Sequence, residues 1–343
     1  MSEYLFYPGC SIESSAKAYA TSLAAICKPL GVSLKEIEDW NCCGATEYLS
    51  LDLTPAYALI ARNLALAEQQ ANGAKTVMTA CSACYLNLSK ADHYMHDDKA
   101  FGEKINEALA AGGLHYDPGQ LMVRHLLDVI INEVGLDKIK EKVVKPLTGL
   151  RVASYIGCMV PRPDYNNRVS DTEHPYELDD LLKALGAEVI DFPLKTACCG
   201  GHMTQIGPET AFELIRRLIA SADQYKADVM VTLCPMCQMN LDAFQGQMNG
   251  YFHTNYKMPV LFFTQLMGLA FGEKPEKLGF GSEFVSAHEA MKKIGVQTPE
   301  PAPATPAAKK SGDLPMPPPR PRPAQAEAAQ ASPAHPGNEE VAE

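Results

Sequence analysis

The sequence lacks any apolar run long enough to cross a bilayer. The best candidate, VLFFTQLMGLAF at 260–271, is too short and contains Thr264 and Gln265. The opening residues, MSEYLFYPGC, have neither the basic start nor the apolar core of a secretory signal. Positive charge is scarce: 30 Lys and Arg stand against 41 Asp and Glu, a formal net charge of −11. That balance speaks against nucleic acid and anionic membrane surfaces as partners. There is no Gly-x-Gly-x-x-Gly loop for a dinucleotide and no tight Cys-x2-Cys-x2-Cys run for a cubane cluster. These absences point to a cytoplasmic chain, where clustered cysteines mean metal or redox chemistry rather than disulfides. With 343 residues, 46% of them hydrophobic, the chain is long enough for two domains with proper cores.

Cysteine is what the sequence has in quantity. Ten of its eleven cysteines fall into two sets of five: Cys10, Cys42, Cys43, Cys81, Cys84, and then Cys158, Cys198, Cys199, Cys234, Cys237. Each set reads as one Cys, a Cys-Cys-Gly, and a Cys-x-x-Cys. The flanks match as well: YPGC (7–10) answers YIGC (155–158), and AKTVMTACSACYLNL (74–88) answers ADVMVTLCPMCQMNL (227–241). The chain therefore reads as a duplication. Cys27 lies outside the pattern in an apolar helical stretch and reads as a buried small hydrophobe.

Both halves alternate strand and helix signals. In the first, EYLFYP (3–8), SLKEIEDW (33–40) and KTVMTA (75–80) read as strands. A helix over 14–31 is expected to stop at Pro29 and Gly31, and another over 54–73 to begin on the Thr54–Pro55 pair. The second half repeats the order, with strands at 150–157, 187–193 and 228–233 and helices at 176–186 and 208–225. The expected fold is α/β: two tandem Rossmann-like domains with short parallel sheets, the cysteines just after strands. The segment 123–144 reads as an amphipathic linking helix, giving domains over 1–147 and 148–296. Residues 297–343 hold 12 of the 25 prolines and no aromatic residue, so they read as a disordered tail. Within it, PPPRPRP (317–323) is a polyproline-like segment, read as a spacer.

Several chemistries could use these thiols. Structural zinc takes four ligands, often in paired knuckles, and leaves the fifth thiolate unexplained; zinc in one half stays open as a lesser alternative. A redox dithiol needs the Cys-x-x-Cys alone. Adjacent cysteines do not form an ordinary disulfide, whose geometry needs well-separated Cα atoms. Five thiolates, two of them adjacent, suit a cluster in which some sulfurs bridge two irons. Gly44, Gly200 and the following Gly201 would leave backbone room beside a bulky inorganic core. Pro235 would fix the first position of a helix whose N-terminus faces an anionic cluster.

The order Cys, Cys-Cys-Gly, Cys-x-x-Cys, occurring twice, resembles the cysteine-rich CCG domain family, and the layout over residues 4–295 is similar to the B subunit of heterodisulfide reductases. The resemblance implies that each set of five cysteines holds a non-cubane 4Fe–4S cluster, at which disulfides are reduced or thiols and sulfur carriers oxidised. It implies a ferredoxin-like C subunit with cubane clusters as electron donor, a flavin-bearing A subunit, and a cytoplasmic place, or one peripheral to the inner membrane through partners. The alternative within the same resemblance is an electron-transfer or anchor subunit of a succinate:quinone or thiol:fumarate reductase. The Pro-rich tail departs from the family pattern. His202, two residues after Gly200, is the candidate proton donor, expected beside the second cluster. His93, His96, His174 and His253 have no further ligand at suitable spacing and read as solvated.

Overall fold

Among the described residues, short runs of Val, Leu, Tyr and Met make eight strands in two sheets. The structure is a computed structural model that describes residues 2–45, 48–166 and 168–295. The first sheet holds β1 (Ser2–Tyr7), β2 (Val32–Glu36), β3 (Thr76–Thr79) and β4 (Met122–His125), in the order β2-β1-β3-β4. The second holds β5 (Arg151–Tyr155), β6 (Glu188–Val189), β7 (Val229–Thr232) and β8 (Val260–Phe262), in the order β6-β5-β7-β8. Every pairing is parallel. Parallel neighbours need crossover connections, and helices such as Leu53–Gln69 and Pro208–Gln224 supply them. In each sheet the chain leaves the two central strands in opposite directions, which opens a crevice at their carboxyl ends. The cysteines lie there.

The fourth strand of each sheet departs from the sequence reading. The stretch 123–144 is not one helix. It starts as β4, continues as a helix over Leu126–Val129 and a π-helical turn over Ile130–Val134, breaks at Gly135 (φ 85°), and resumes over Leu136–Lys142. The apolar run at 260–271 divides likewise into β8 and a helix over Phe263–Ala270. Two helix boundaries also move. The helix over Leu53–Gln69 is capped by Asp52, whose side chain accepts the Thr54 N–H at 3.0 Å, so Thr54 lies inside it. Pro29 sits within the last turn of Lys17–Leu30, and left-handed Gly31 (φ 72°) ends that helix. The Pro-rich segment from 297 onward, with its PPPRPRP, lies outside the described residues.

The two repeats share one continuous apolar core. Helix Lys17–Leu30 of the first repeat packs on helix Phe263–Ala270 of the second. Tyr19, wholly buried, stacks on Phe262 with ring centroids 4.2 Å apart and donates its hydroxyl to the Leu233 carbonyl. Beside it the buried hydroxyls of Ser22 and Thr264 are 2.6 Å apart. Lys138 reaches back to the Leu30 carbonyl at 2.8 Å. Cys27 is half-buried against this core, and burial pushes its thiol up to about 12.

Candidate metal centres and the cleft between the repeats

All ten patterned cysteines gather at the carboxyl ends of the strands, one set per sheet. Cys10 and Cys158 follow β1 and β5, the Cys-Cys pairs follow β2 and β6, and the Cys-x-x-Cys motifs follow β3 and β7. Within the first set, the Cys42 and Cys10 sulfurs are 3.7 Å apart and those of Cys43 and Cys84 3.5 Å. Within the second, Cys199 and Cys237 are 3.4 Å apart. Cys81 and Cys234 cap the N-termini of helices Ser82–Asp97 and Pro235–Ala243, with Pro235 in the first turn as the sequence suggested. Cys81 and Cys234 also perturb each other's proton affinity, so the two motifs meet across the repeat interface.

Matched side chains hold each set in place. Tyr7 donates its hydroxyl to the Asn41 carbonyl at 2.7 Å, and Tyr155 does the same to Ala197 at 2.7 Å. Both tyrosines are wholly buried and each anchors the residue before a Cys-Cys pair. Asn87 donates to the carbonyls of Cys43 (3.0 Å) and Ala45 (2.6 Å). Asn240 donates to those of Cys199 (3.3 Å) and Gly201 (2.6 Å). These residues stood in the repeated flanks YPGC, YIGC and the Asn-Leu pairs, which marked duplication without revealing a role.

The glycines near the thiols play different parts. Gly44 lines the first set's cleft, and a Cβ there would lie 2.5 Å from the Tyr48 ring. A Cβ on Gly200 would meet the Ala211 backbone at 3.4 Å, and one on Gly201 the Met236 sulfur at 3.4 Å. The glycines that approach the thiols are Gly9 and Gly157. Both are left-handed (φ 73° and 74°), and a Cβ would stand 2.8 Å from the Cys84 sulfur and 3.4 Å from the Cys237 sulfur. Gly44 and Gly200 instead turn their N–H groups onto the Cys42 and Cys198 sulfurs, at 3.4 and 3.3 Å.

The two sets differ in what surrounds them. The first forms the floor of an open cleft of about 490 Å³, whose opposite wall comes from the second repeat, including His202, Met239 and Phe244. The second adjoins a hollow of only about 20 Å³, shut in by Met159, Met236 and Ser82. Gly201 and Met236 line both spaces and separate them. His202 thus faces the first set's cleft rather than the second set's hollow. His174 and His253 are exposed, and His93 pairs with Asp97 at 3.3 Å.

The donor set fits a polynuclear metal group. Cys237 is held far above the ordinary thiol range by its hydrogen bonds with Cys199 and Cys234, with burial adding to the effect. Cys84 is raised in the same way by Cys43 and Cys81. Neither the cleft nor the hollow is lined by a Lys or Arg among the described residues. Crowding pulls one thiol down as it pushes its neighbour up, as with Cys234 and Cys237, so ionising all five thiols of a set together would call for metal charge. Among the described residues, no three His, Cys, Asp or Glu side chains gather around one point as the ligands of a single ion would.

The two-fold arrangement of these sites defines the class. Residues 4–89 and 152–242 match the model of the cysteine-rich domain, CCG, and the chain belongs to that family. It is 36% identical over 285 residues to the 8-methylmenaquinol:fumarate reductase membrane anchor subunit of Wolinella succinogenes, covering 83% of this chain and 98% of the relative. It is 33% identical to a protein from Archaeoglobus profundus described as like the B subunit of heterodisulfide reductase, covering 81% and 93%. The B subunit of a ferredoxin/F(420)H(2)-dependent CoB-CoM heterodisulfide reductase from Methanosarcina acetivorans is 29% identical, covering 86% and 97%. Among solved structures, a hypothetical protein from Helicobacter pylori superposes with a TM-score of 0.65 at 15% identity, over 83% of this chain. This chain spans about half, 52%, of that protein, and the likeness speaks to fold alone.

Proposed function

We propose that the chain is the iron–sulfur subunit of a heterodisulfide-reductase-like oxidoreductase complex. Cys10, Cys42, Cys43, Cys81 and Cys84 hold one non-cubane 4Fe–4S cluster, and Cys158, Cys198, Cys199, Cys234 and Cys237 hold the other. Bound there, the clusters supply the electrons that turn a disulfide into two thiols, taking up two electrons and two protons, or accept them in the reverse direction. The observation that carries this reading is the cleft: one complete set of five thiols floors an open space that the other repeat walls in. His202 on that wall is the side chain placed to pass a proton to a departing thiolate. The chain has no flavin or cubane motif of its own. Electrons therefore arrive from partners, a ferredoxin-like C subunit and a flavin-bearing A subunit. The working location is the cytoplasm, or a membrane face reached through partners; no helix among the described residues is long and apolar enough to cross a membrane.

A second reading has its own support. The 36% identity to a fumarate reductase subunit from Wolinella succinogenes favours a module that passes electrons between a quinol and a flavin partner. Anaerobic purification with iron and acid-labile sulfide analysis tests what the readings share; zinc in place of iron would sink both. Turnover separates them. Thiol release from a disulfide by the iron-loaded chain and a chemical reductant supports the first. Oxidation of a quinol analogue by the chain with its partner subunits, without thiol release, supports the second.

A further inference from the structure

Among the described residues, the walls of the first cleft are neutral. None of its lining side chains among these residues is Lys, Arg, Asp or Glu, and His202 is the one basic side chain there. The rest is apolar or neutral, with Tyr48, Pro235, Met236, Met239 and Phe244 giving the bulk. An adjoining hollow of about 190 Å³, which shares Ser15 and Met239 with the cleft, does carry charge. Its charged side chains are Lys17, Asp242 and Glu283, with acid outnumbering base. Asp242 is already committed to the Gln238 amide and to the N–H groups of Phe284 and Val285. The floor of the cleft is thiolate sulfur once metal is bound.

A carboxylate, phosphate or sulfonate entering this space would give up water, find no cation and face negative sulfur. A ligand with an uncharged body meets none of these penalties and gains contact with the Met and aromatic walls. We infer that the cleft takes an uncharged, largely apolar disulfide or dithiol and discriminates against anionic ones. The inference rests on the disulfide reading above and names its substrate class.

Two probes differ only in charge: lipoamide, a five-membered cyclic disulfide ending in a neutral amide, and lipoate, the same ring ending in a carboxylate. Binding of each to the iron-loaded full chain is measured by calorimetry at pH 8, where an ordinary imidazole is neutral. Lipoamide is expected to bind at least about tenfold more tightly, with the gap narrowing as added salt screens the repulsion. Gln205→Arg, on the exposed short helix Met203–Ile206 at the cleft wall, should shift the lipoate-to-lipoamide affinity ratio about tenfold toward lipoate. Thr204→Lys serves the same purpose if that variant is poorly folded. Equal or tighter binding of lipoate by the unaltered chain overturns the inference, and so does binding of neither probe. Tight lipoamide binding with no thiol release once a chemical reductant is added supports the charge inference while defeating the disulfide-reductase reading.

Discussion

The two cysteine sets share a scaffold and differ in their surroundings. Both are fixed by a buried Tyr hydroxyl on the residue before a Cys-Cys pair and by an Asn amide on the two carbonyls around it. Yet the first opens into about 490 Å³ of cleft and the second into about 20 Å³. Duplication supplies two equal ligand frames, and packing one repeat against the other makes them unequal. The wall opposite the first set belongs to the second repeat, and two of its residues, Gly201 and Met236, also line that repeat's own hollow. The larger space thus lies against the first set, although each set keeps one exposed thiol, Cys10 in the first and Cys198 in the second.

The largest expected effect comes from the thiols themselves. Cys43→Ser and Cys199→Ser each remove a buried donor that pairs with the last Cys of its set. Each should cost about half of the iron, because serine is a poorer ligand for soft metal sites. Iron assay and low-temperature EPR are expected to show two different residual spectra, one per surviving cluster. Full iron with unaltered spectra in both variants would remove the paired cysteines from the ligand set. Because the repeats share one core, a lost cluster should also lower the unfolding temperature of the whole unit rather than of half of it.

The repeats also differ where their fourth strands end. His125 closes β4 and caps the following helix, its Nδ1 accepting the Leu127 N–H at 3.1 Å; Phe262 holds the same place after β8. Burial holds His125 down at about 4. A base whose pKa is lower folded than unfolded gives stability that is complete above about 6.5 and drains away as pH falls toward 4. Between pH 7 and pH 5 this should remove about 2 kcal/mol. His125→Phe, which copies the second repeat, should be weaker at pH 7 for want of the cap but lose less on acidification. Denaturant titrations of the metal-loaded protein at the two pH values measure this. An unchanged pH slope would mean that His125 is not what titrates.

The shared supports come next. Asn87→Ala strips the amide from two carbonyls, one of them that of the buried Cys43, and should cost about 2 kcal/mol with partial loss of iron. Asn240→Ala should behave alike, since its contacts are the same. If only one variant lost iron, the equality of the two frames would fail.

Much of this was legible in the sequence, because duplication prints every structural necessity twice. The ten thiols, the first three strands of each repeat and the first-turn Pro235 could all be read from spacing and period. The fourth strands could not. At VRH and VLF the apolar run is too short for periodicity to separate strand from helix, and the helical residues that follow dominate any window. The position of His202 was hidden for another reason. Its neighbours in sequence belong to the second set, while the space it faces is made by docking the repeats, which no local pattern records. Gly9 and Gly157 were in plain view before the first Cys of each set, but a repeated Gly signals a turn without saying what stands opposite it.

That pair gives the smallest and sharpest comparison. Gly9 and Gly157 have almost the same φ, 73° and 74°, which L side chains rarely adopt, so backbone strain of about 1–3 kcal/mol is expected of an alanine at either position. What differs is the sulfur opposite. The new methyl would stand 2.8 Å from Cys84 in the first site and 3.4 Å from Cys237 in the second. The former is closer than any relaxed carbon–sulfur contact, so Cys84 must move, whereas Cys237 has to give only a few tenths of an ångström. Gly9→Ala should therefore cost about 1 kcal/mol more than Gly157→Ala and release iron from the first site. Gly157→Ala should lose stability while keeping its metal. Unfolding midpoints set beside iron content separate the two effects: equal iron loss in both variants would mean that backbone strain, not the closeness of Cys84, governs how each site holds its metal.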